Sequence, residues 1–176
     1  MKIGITGSLA SGKSSVAKIL SKNKKLLFSA DKVVKNLYSD NQFKTKIKKR
    51  FKIKNKNIKE EIKNKLLKKE ISLNELGKII HPFVRKKMKD FSKKQKRENI
   101  VFFEIPLLIE SKLMKYFNVI VFIKAKKQLR FKRFRLKRGD RKLFNLLNNK
   151  QMNDKKKIKF CDYVVVNEKN LNILKK

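Results

Sequence analysis

The segment Lys2–Ser21, KIGITGSLASGKSSVAKILS, decides the fold through the order of its residue types. A short apolar run ends at Gly7, the residues from Gly7 to Ser14 fit the pattern G-x-x-x-x-G-K-[ST], and apolar residues then recur at helical spacing. A buried strand, a glycine-containing loop and a helix in this order are the context in which the pattern holds a phosphate. The backbone N–H groups of such a loop converge on phosphate oxygens, and the following helix presents its positive end.

The loop predicts that the chain binds ATP. In this pattern the lysine, here Lys13, bridges the β- and γ-phosphates, and the hydroxyl of Ser14 is a ligand of Mg²⁺. The loop alone does not indicate whether the γ-phosphoryl group passes to water or to another molecule. The predicted ATP-binding loop consists of Gly7, Ser8, Leu9, Ala10, Ser11, Gly12, Lys13, Ser14 and Ser15.

Strand-like and helix-like segments alternate through most of the chain, which predicts an α/β fold with a five-stranded parallel sheet. Residues 32–97 contain only lysine-rich amphipathic stretches, which indicate a helical insertion in which the His81-Pro82 step ends or restarts a helix. A short final helix is predicted at Lys169–Lys176. The strands after the first are predicted at Leu26–Ser29, Ile100–Ile105, Phe117–Ala125 and Asp162–Asn167.

Two carboxylates stand at predicted strand ends, where open parallel sheets bind ligands. Asp31 follows the second strand and is either a base that takes a proton from an attacking hydroxyl or the N-cap of a helix beginning at Lys32. Glu104, in the third strand, is a candidate for orienting magnesium through a water molecule. His81 is the only histidine, so a metal site is not expected there; it either caps or fills the core or contacts an anionic substrate.

Five arginines lie within twelve residues between the fourth and fifth strands: Arg130, Arg133, Arg135, Arg138 and Arg141. Guanidinium groups match the geometry of phosphate, so two of them, Arg133 and Arg138, are expected to clamp the triphosphate from a lid. The alternative interpretation is a solvated basic helix, and we expect it to hold for most of the five.

Composition limits the classes of partner. The net charge of +37 comes from 51 basic residues of which eight are arginine, so it fits either an AT-rich coding sequence or selection for polyanion binding. Only Phe131 and Phe134 interleave with arginines, and a stacking surface for nucleic acid is therefore not expected. No apolar run is long enough to span a membrane, and the sole cysteine, Cys161, excludes an intramolecular disulfide. We expect a cytoplasmic, monomeric, single-domain protein.

Several segments, taken in order, resemble the dephospho-CoA kinase family. That resemblance implies a P-loop kinase core that transfers the γ-phosphate of ATP, with magnesium, to the 3′-hydroxyl of dephospho-CoA. The family usually has Asp-Ala-Asp at the second strand, where this chain has Ser29-Ala30-Asp31, and the region between Asn41 and Ile71 matches weakly. The matching segments are IGITGSLASGKSSVA, SADKVVKNLY, IIHPFVRKKM, VFFEIPLLIE, the arginine-rich stretch, NNKQM and KIKFCDYVVVNE.

The resemblance also implies roles for individual residues and regions. Asp31 would be the catalytic base beside Lys13, and Asn167 would lie near the adenine of ATP. A nucleotide-binding core would comprise residues 1–31, 99–125 and 160–176, a helical CoA-binding subdomain residues 32–98, and a lid residues 126–153. Another small-molecule P-loop kinase, or a nucleotide-switched nucleic-acid-binding protein, is the alternative. The implied substrate-binding residues are Thr6, Asp31, His81, Arg85, Pro106 and Leu107.

Overall fold

The computed structural model describes residues 1–22, 24–137 and 139–169. Within these residues the strands are β1 (Lys2–Gly7), β2 (Leu27–Ser29), β3 (Val101–Glu104), β4 (Val119–Lys124) and β5 (Tyr163–Val166). The helices are α1 (Lys13–Ser21), α2 (Ala30–Leu37), α3 (Asn41–Phe51), α4 (Ile58–Leu67), α5 (Leu73–Lys94), α6 (Lys127–Arg135), α7 (Arg141–Asn149) and α8 (Asp154–Ile158). Most of the predicted final helix lies outside the described residues.

The predicted α/β fold with a five-stranded parallel sheet is confirmed. The strand order is β2-β3-β1-β4-β5, so β1 is central and the loop that follows it opens between β3 and β4. In this register Ile5 is opposite Glu104 and Gly7 is opposite Ile123. Because all strands run in the same direction, the ends of β1, β2 and β3 bring the loop, Ser29 and Glu104 to one edge of the sheet.

The core of the sheet forms where α1 packs on it. Val16 and Ala17 lie on the buried face of α1 and belong to one apolar cluster with Ile5, Phe102 and Ile123. All five are less than a tenth exposed. Since α1 begins directly after the loop, this packing fixes the helix N-terminus at the sheet edge, where a phosphate would be met by its positive end.

The chain divides into two compact units, residues 1–29 with 95–176 and residues 30–94. In the second unit Phe43 is fully buried, and its ring meets Tyr38 and Phe83 edge to face, with ring centres 5.3 and 5.6 Å away. Ser72 and Glu75 form a capping box before α5, because each side chain accepts a hydrogen bond from the other residue's backbone N–H. Local sequence signals of this kind set the helix starts.

The prediction that the His81-Pro82 step ends or restarts a helix is wrong. Helix α5 runs without interruption from Leu73 to Lys94, with Pro82 inside it. Proline has no N–H to give the carbonyl of residue 78, which costs the helix one hydrogen bond. The helix persists because it buries an apolar face on both sides of the proline, through Ile79 before it and Met88 after it. No helix in the described part of the chain is long and apolar enough to cross a membrane.

Candidate active site

The loop after β1 requires glycine at two positions. Gly7 has φ of 150° and Gly12 has φ of 91°, values that side chains rarely tolerate. A Cβ atom on Gly7 would lie 2.4 Å from the carbonyl oxygen of Ile123, and one on Gly12 would lie 2.0 Å from Nδ2 of Asn167. The two glycines of the motif therefore let the backbone turn where neighbouring atoms leave no room for a side chain.

Lys13 lies across the loop that it follows. Its side chain is buried, and Nζ donates a hydrogen bond of 2.8 Å to the carbonyl oxygen of Ser8. The amide of Ser11 bonds to the same carbonyl at 3.1 Å. The ammonium group is thus held against the backbone of the loop for which the pattern predicts contacts with the β- and γ-phosphates.

Three side chains from separate elements meet beside the loop. The hydroxyl of Ser14, in the first turn of α1, donates to Oε1 of Glu104 at 2.5 Å. The hydroxyl of Ser29, at the end of β2, donates to Oε2 of the same carboxylate at 2.7 Å. Glu104 is only 2% exposed, so its carboxylate is aimed by both hydroxyls at the residue that the motif assigns to magnesium.

Arg133 and Asn167 hold the far side of the loop. Nη1 of Arg133 donates to the carbonyl oxygens of Ser11 and Asn167, at 3.2 and 3.0 Å, and Nδ2 of Asn167 donates to the carbonyl oxygen of Ser11 at 2.9 Å. Asn167 is itself fixed to the sheet, because its N–H bonds to the carbonyl of Lys124 at 2.8 Å. Arg138, the other predicted lid arginine, lies outside the described residues.

Arg130, one of the five arginines, and two residues that the sequence analysis did not single out, Gln151 and Asp154, also contact the loop, and Asn148 holds Arg130 in place. Nη1 of Arg130 donates to the carbonyl of Leu9 at 3.3 Å and to Oδ1 of Asn148 at 2.8 Å. Oε1 of Gln151 accepts from the N–H of Leu9 at 2.9 Å, and Oδ1 of Asp154 accepts from the hydroxyl of Ser8. Asn148 and Gln151 lie in the segment NNKQM and Arg130 lies in the arginine-rich stretch, both of which belong to the resemblance, whereas no sequence signal indicates Asp154. Burial lowers the pKa of Arg130, and the charge of Asp154 opposes this shift.

Thr6 lies at the end of β1, just before the loop, and Pro106 and Leu107 follow β3. The fully buried hydroxyl of Thr6 donates to the carbonyl oxygen of Pro106 at 3.1 Å. This bond joins the end of β1 to the turn after β3. The predicted contacts of the three residues with substrate stay predictions.

Asp31, His81 and Arg85 belong to the second unit. Asp31 is exposed in the first turn of α2, which begins at Ala30 rather than after the aspartate, so Asp31 does not precede the helix as a cap residue. His81 is partly buried in α5, one turn after Gly77, where a Cβ would lie 3.2 Å from its ring. Burial, and to a lesser extent the charge of Arg85, lower the pKa of His81. The imidazole is therefore mostly neutral at pH 7.

Comparison with known proteins decides the family. A family model described as dephospho-CoA kinase matches residues 1–172. The chain belongs to the dephospho-CoA kinase family. It is 33% identical to a dephospho-CoA kinase of Bartonella henselae, over 96% of this chain and 90% of that protein.

Solved structures share the fold. A dephospho-CoA kinase from Campylobacter jejuni superimposes with a TM-score of 0.65 at 24% identity, covering 99% of this chain and 92% of the other. A protein of Thermus thermophilus superimposes with a TM-score of 0.76 at 23% identity and the same coverage. At these sequence identities, the structural likeness shows that the chain shares the fold of these proteins, and it shows nothing more specific.

Proposed function

We propose that this chain transfers the γ-phosphoryl group of ATP to the 3′-hydroxyl of the ribose of dephospho-CoA, giving coenzyme A and ADP. The observation that carries the proposal is membership of one kinase family along residues 1–172, a range that includes an intact phosphate-binding loop. In this reaction the bond between the γ-phosphorus and the bridging oxygen of ADP breaks, and a bond to the 3′-oxygen forms. The protein has to position both substrates and stabilise charge on the transferred group.

The loop residues Gly7 to Ser15 supply the charge stabilisation. Their N–H groups and the N-terminus of α1 favour the phosphate oxygens, and Lys13 adds a full positive charge that is already held over the loop. Its ammonium group exchanges the carbonyl of Ser8 for phosphate oxygens when ATP binds. A group organised in advance in this way stabilises the transition state without reorganisation at the moment of transfer.

The residues beside the loop fit Mg²⁺. The hydroxyl of Ser14 and the carboxylate of Glu104 are hard oxygen donors that lie 2.5 Å apart, and Mg²⁺ is commonly held by one or two such groups together with substrate phosphates. No cluster of three or more His, Cys, Asp or Glu side chains that could cage a metal occurs among residues 1–22, 24–137 and 139–169. Ser14 would bind the ion and Glu104 would orient its water. When bound, the ion neutralises charge on the β- and γ-phosphates.

Asp31 is our candidate for the base that takes the proton of the 3′-hydroxyl. Asp31→Asn keeps the size of the side chain and its place in the first turn of α2, but it removes the group that accepts the proton. We expect turnover to fall by roughly 10²–10⁴, with ATP affinity and melting temperature unchanged. Turnover near that of the wild type would show that the carboxylate serves only the helix.

The remaining assignments complete the binding sites. Arg133, Arg138 and Asn167 would contact ATP, and Thr6, His81, Arg85, Pro106 and Leu107 would contact dephospho-CoA. We propose that residues 126–153 form a lid, because their basic residues repel one another until a triphosphate neutralises them. Limited proteolysis between Arg135 and Arg141 should slow on addition of ATP and magnesium, and equal cleavage with and without nucleotide would contradict a lid.

The activity is tested by ADP release from purified protein with ATP, magnesium and dephospho-CoA. Adenosine and shikimate serve as control acceptors, because each presents a hydroxyl group without the pantetheine arm. We expect ADP release that depends on dephospho-CoA alone, and the absence of that dependence would overturn the proposal. Cytoplasmic location and a monomeric state remain predictions from the sequence.

A further inference from the structure

A buried lysine pairs with a largely buried glutamate, 18% exposed, shortly after β3. Lys157, in α8, is completely buried, and its Nζ lies 2.7 Å from Oε1 of Glu110. The same oxygen of Glu110 accepts a hydrogen bond of 3.1 Å from the N–H of Met152. The single carboxylate thus joins the turn after β3 to both the start and the end of the segment 152–157.

A contribution to the folding stability of the protein does not by itself explain why Glu110 and Lys157 form this pair. Removing two charges from water is costly, and apolar residues of similar size often replace a buried ion pair without loss of stability. The second oxygen of Glu110, Oε2, is buried and has no hydrogen-bond partner in the described part of the chain, so the pair is not even fully satisfied. Its role is better sought in what the pair holds in place.

The segment that Glu110 and Lys157 enclose is the one that grips the phosphate-binding loop from outside. Gln151, next to Met152, accepts from the N–H of Leu9, and Asp154, one helical turn before Lys157, accepts from the hydroxyl of Ser8. Movement of the segment would therefore move both side chains away from the loop.

The residues from Glu104 to Glu110, EIPLLIE, connect this contact to the other end of the loop, where Glu104 meets Ser14. Glu104 and Glu110 are separated by IPLLI, in which Leu108 is fully buried and Ile109 is 3% exposed. Backbone bonds from Ser111 to Leu107 and from Leu113 to Leu108, at 2.9 and 3.0 Å, close this turn. Glu104 meets Ser14 at one end, and Glu110 fixes the partners of Ser8 and Leu9 at the other. The run EIPLLIE thereby braces both ends of the loop.

We infer that Glu110 and Lys157 are positioning residues for ATP, which act on the phosphate-binding loop through Gln151 and Asp154. The inference rests on the proposed function only in so far as the loop binds ATP. It requires that loss of the acceptor for Met152 loosens the loop and weakens ATP binding, even in a protein that is otherwise folded. A purely structural pair would affect melting and leave ATP binding unchanged.

Two double variants of the full chain separate these roles. Both Glu110→Gln/Lys157→Met and Glu110→Leu/Lys157→Met remove the two charges, but only the glutamine keeps an oxygen that accepts from Met152. We expect both to fold, as judged by circular dichroism well below the melting transition. For Glu110→Leu/Lys157→Met we expect a fall in kcat/KM for ATP of roughly 10- to 100-fold, the size of effect produced by small misplacements of catalytic groups. Glu110→Gln/Lys157→Met should stay within about threefold of the wild type, since the acceptor for Met152 is retained.

A double-mutant cycle tests the route. In a Gln151→Ala/Asp154→Ala background the further change of Glu110 and Lys157 to Leu and Met should have little additional effect on ATP binding, because the contacts through which the pair acts are already gone. Equal kcat/KM values in the two double variants, or a full-sized additional effect in that background, would overturn the inference.

The dissociation constant for ATP, measured by calorimetry without dephospho-CoA, keeps this test apart from the proposed function. If wild-type protein binds ATP but shows no ADP release that depends on dephospho-CoA, the acceptor assignment fails. The ATP dissociation constants still test the role of Glu110 and Lys157: weaker binding by Glu110→Leu/Lys157→Met alone supports it, and equal binding by both double variants contradicts it.

Discussion

Ser29→Asp is the change that best tests the arrangement around Glu104. It gives this chain the aspartate that its family usually has at the second strand, so a substitution toward the family pattern would ordinarily be expected to be harmless. Here the hydroxyl of Ser29 lies 2.7 Å from Oε2 of Glu104, and the two residues are 7% and 2% exposed. A carboxylate at position 29 would therefore face another carboxylate with little water between them.

The size of the effect follows from that geometry. Two unit charges about 4 Å apart repel by roughly 4 kcal/mol at the effective dielectric constant of about 20 that fits protein sites. Side-chain adjustment will relieve part of this, so we expect a loss of about 2–4 kcal/mol in the free energy of unfolding. For a chain of this length, that loss lowers the melting temperature by roughly 4–16 °C.

Calorimetry or thermal circular dichroism measures the shift, and two control variants isolate its cause. Ser29→Ala removes one hydrogen bond to a charged group and should cost about 1.5–3 kcal/mol at most. In the double variant Ser29→Asp/Glu104→Gln only one carboxylate remains, and the melting temperature should return to within a few degrees of the wild type. If Ser29→Asp melts at the wild-type temperature, or if Glu104→Gln fails to relieve it, the reasoning is refuted.

Three further predictions concern single residues. Lys13→Ala should abolish phosphoryl transfer while the melting curve stays close to that of the wild type; turnover near wild-type values would contradict the loop assignment. Gly12→Ala should lower the free energy of unfolding by about 1–3 kcal/mol because of the positive φ at this position. Asn167→Ala in the same chain should restore part of this loss, because it removes the atom that lies 2.0 Å from the new Cβ. If the effects of the two substitutions on the free energy of unfolding are strictly additive, the contact is not the cause. Burial raises the pKa of Cys161 to about 11, so only about 0.1% of the thiol is ionised at pH 8. Iodoacetamide should therefore label Cys161 far more slowly in the native protein than in guanidinium, and mass spectrometry measures both rates.

The parts of the fold that were predictable depend on local sequence. Within twenty residues lie the apolar run before Gly7, the two glycines of the loop and the helical spacing after Lys13. Each of these patterns predicts the backbone conformation of the residues that form it. The strands differ from their predicted bounds only by one or two residues at the ends. The prediction at Pro82 failed because the loss of one hydrogen bond is small beside the packing of a helix of 22 residues. That packing involves residues far from the proline in the sequence, so the local sequence does not indicate it.

The outer shell of the site was not predictable, because its contacts join distant parts of the chain. Ser8 meets Asp154 across 146 positions, and Leu9 meets Gln151 across 142. Polar residues at the end of α7 and the start of α8 leave no periodic signal that distinguishes them from solvent-facing residues. Only the folded chain, in which α8 packs against β4, shows which of them turn inward.

Ser29 illustrates how a departure from a family pattern is understood once the register is known. By position alone, the serine looks like the loss of a carboxylate next to the phosphate site. In the sheet, however, Ser29 on β2 is directly paired with Glu104 on β3, so their side chains emerge side by side at the same edge. A carboxylate on either strand therefore reaches the same place beside Ser14. In this chain β3 supplies the charge and β2 supplies the hydroxyl that orients it, and positions 29 and 104 have to be interpreted as one pair.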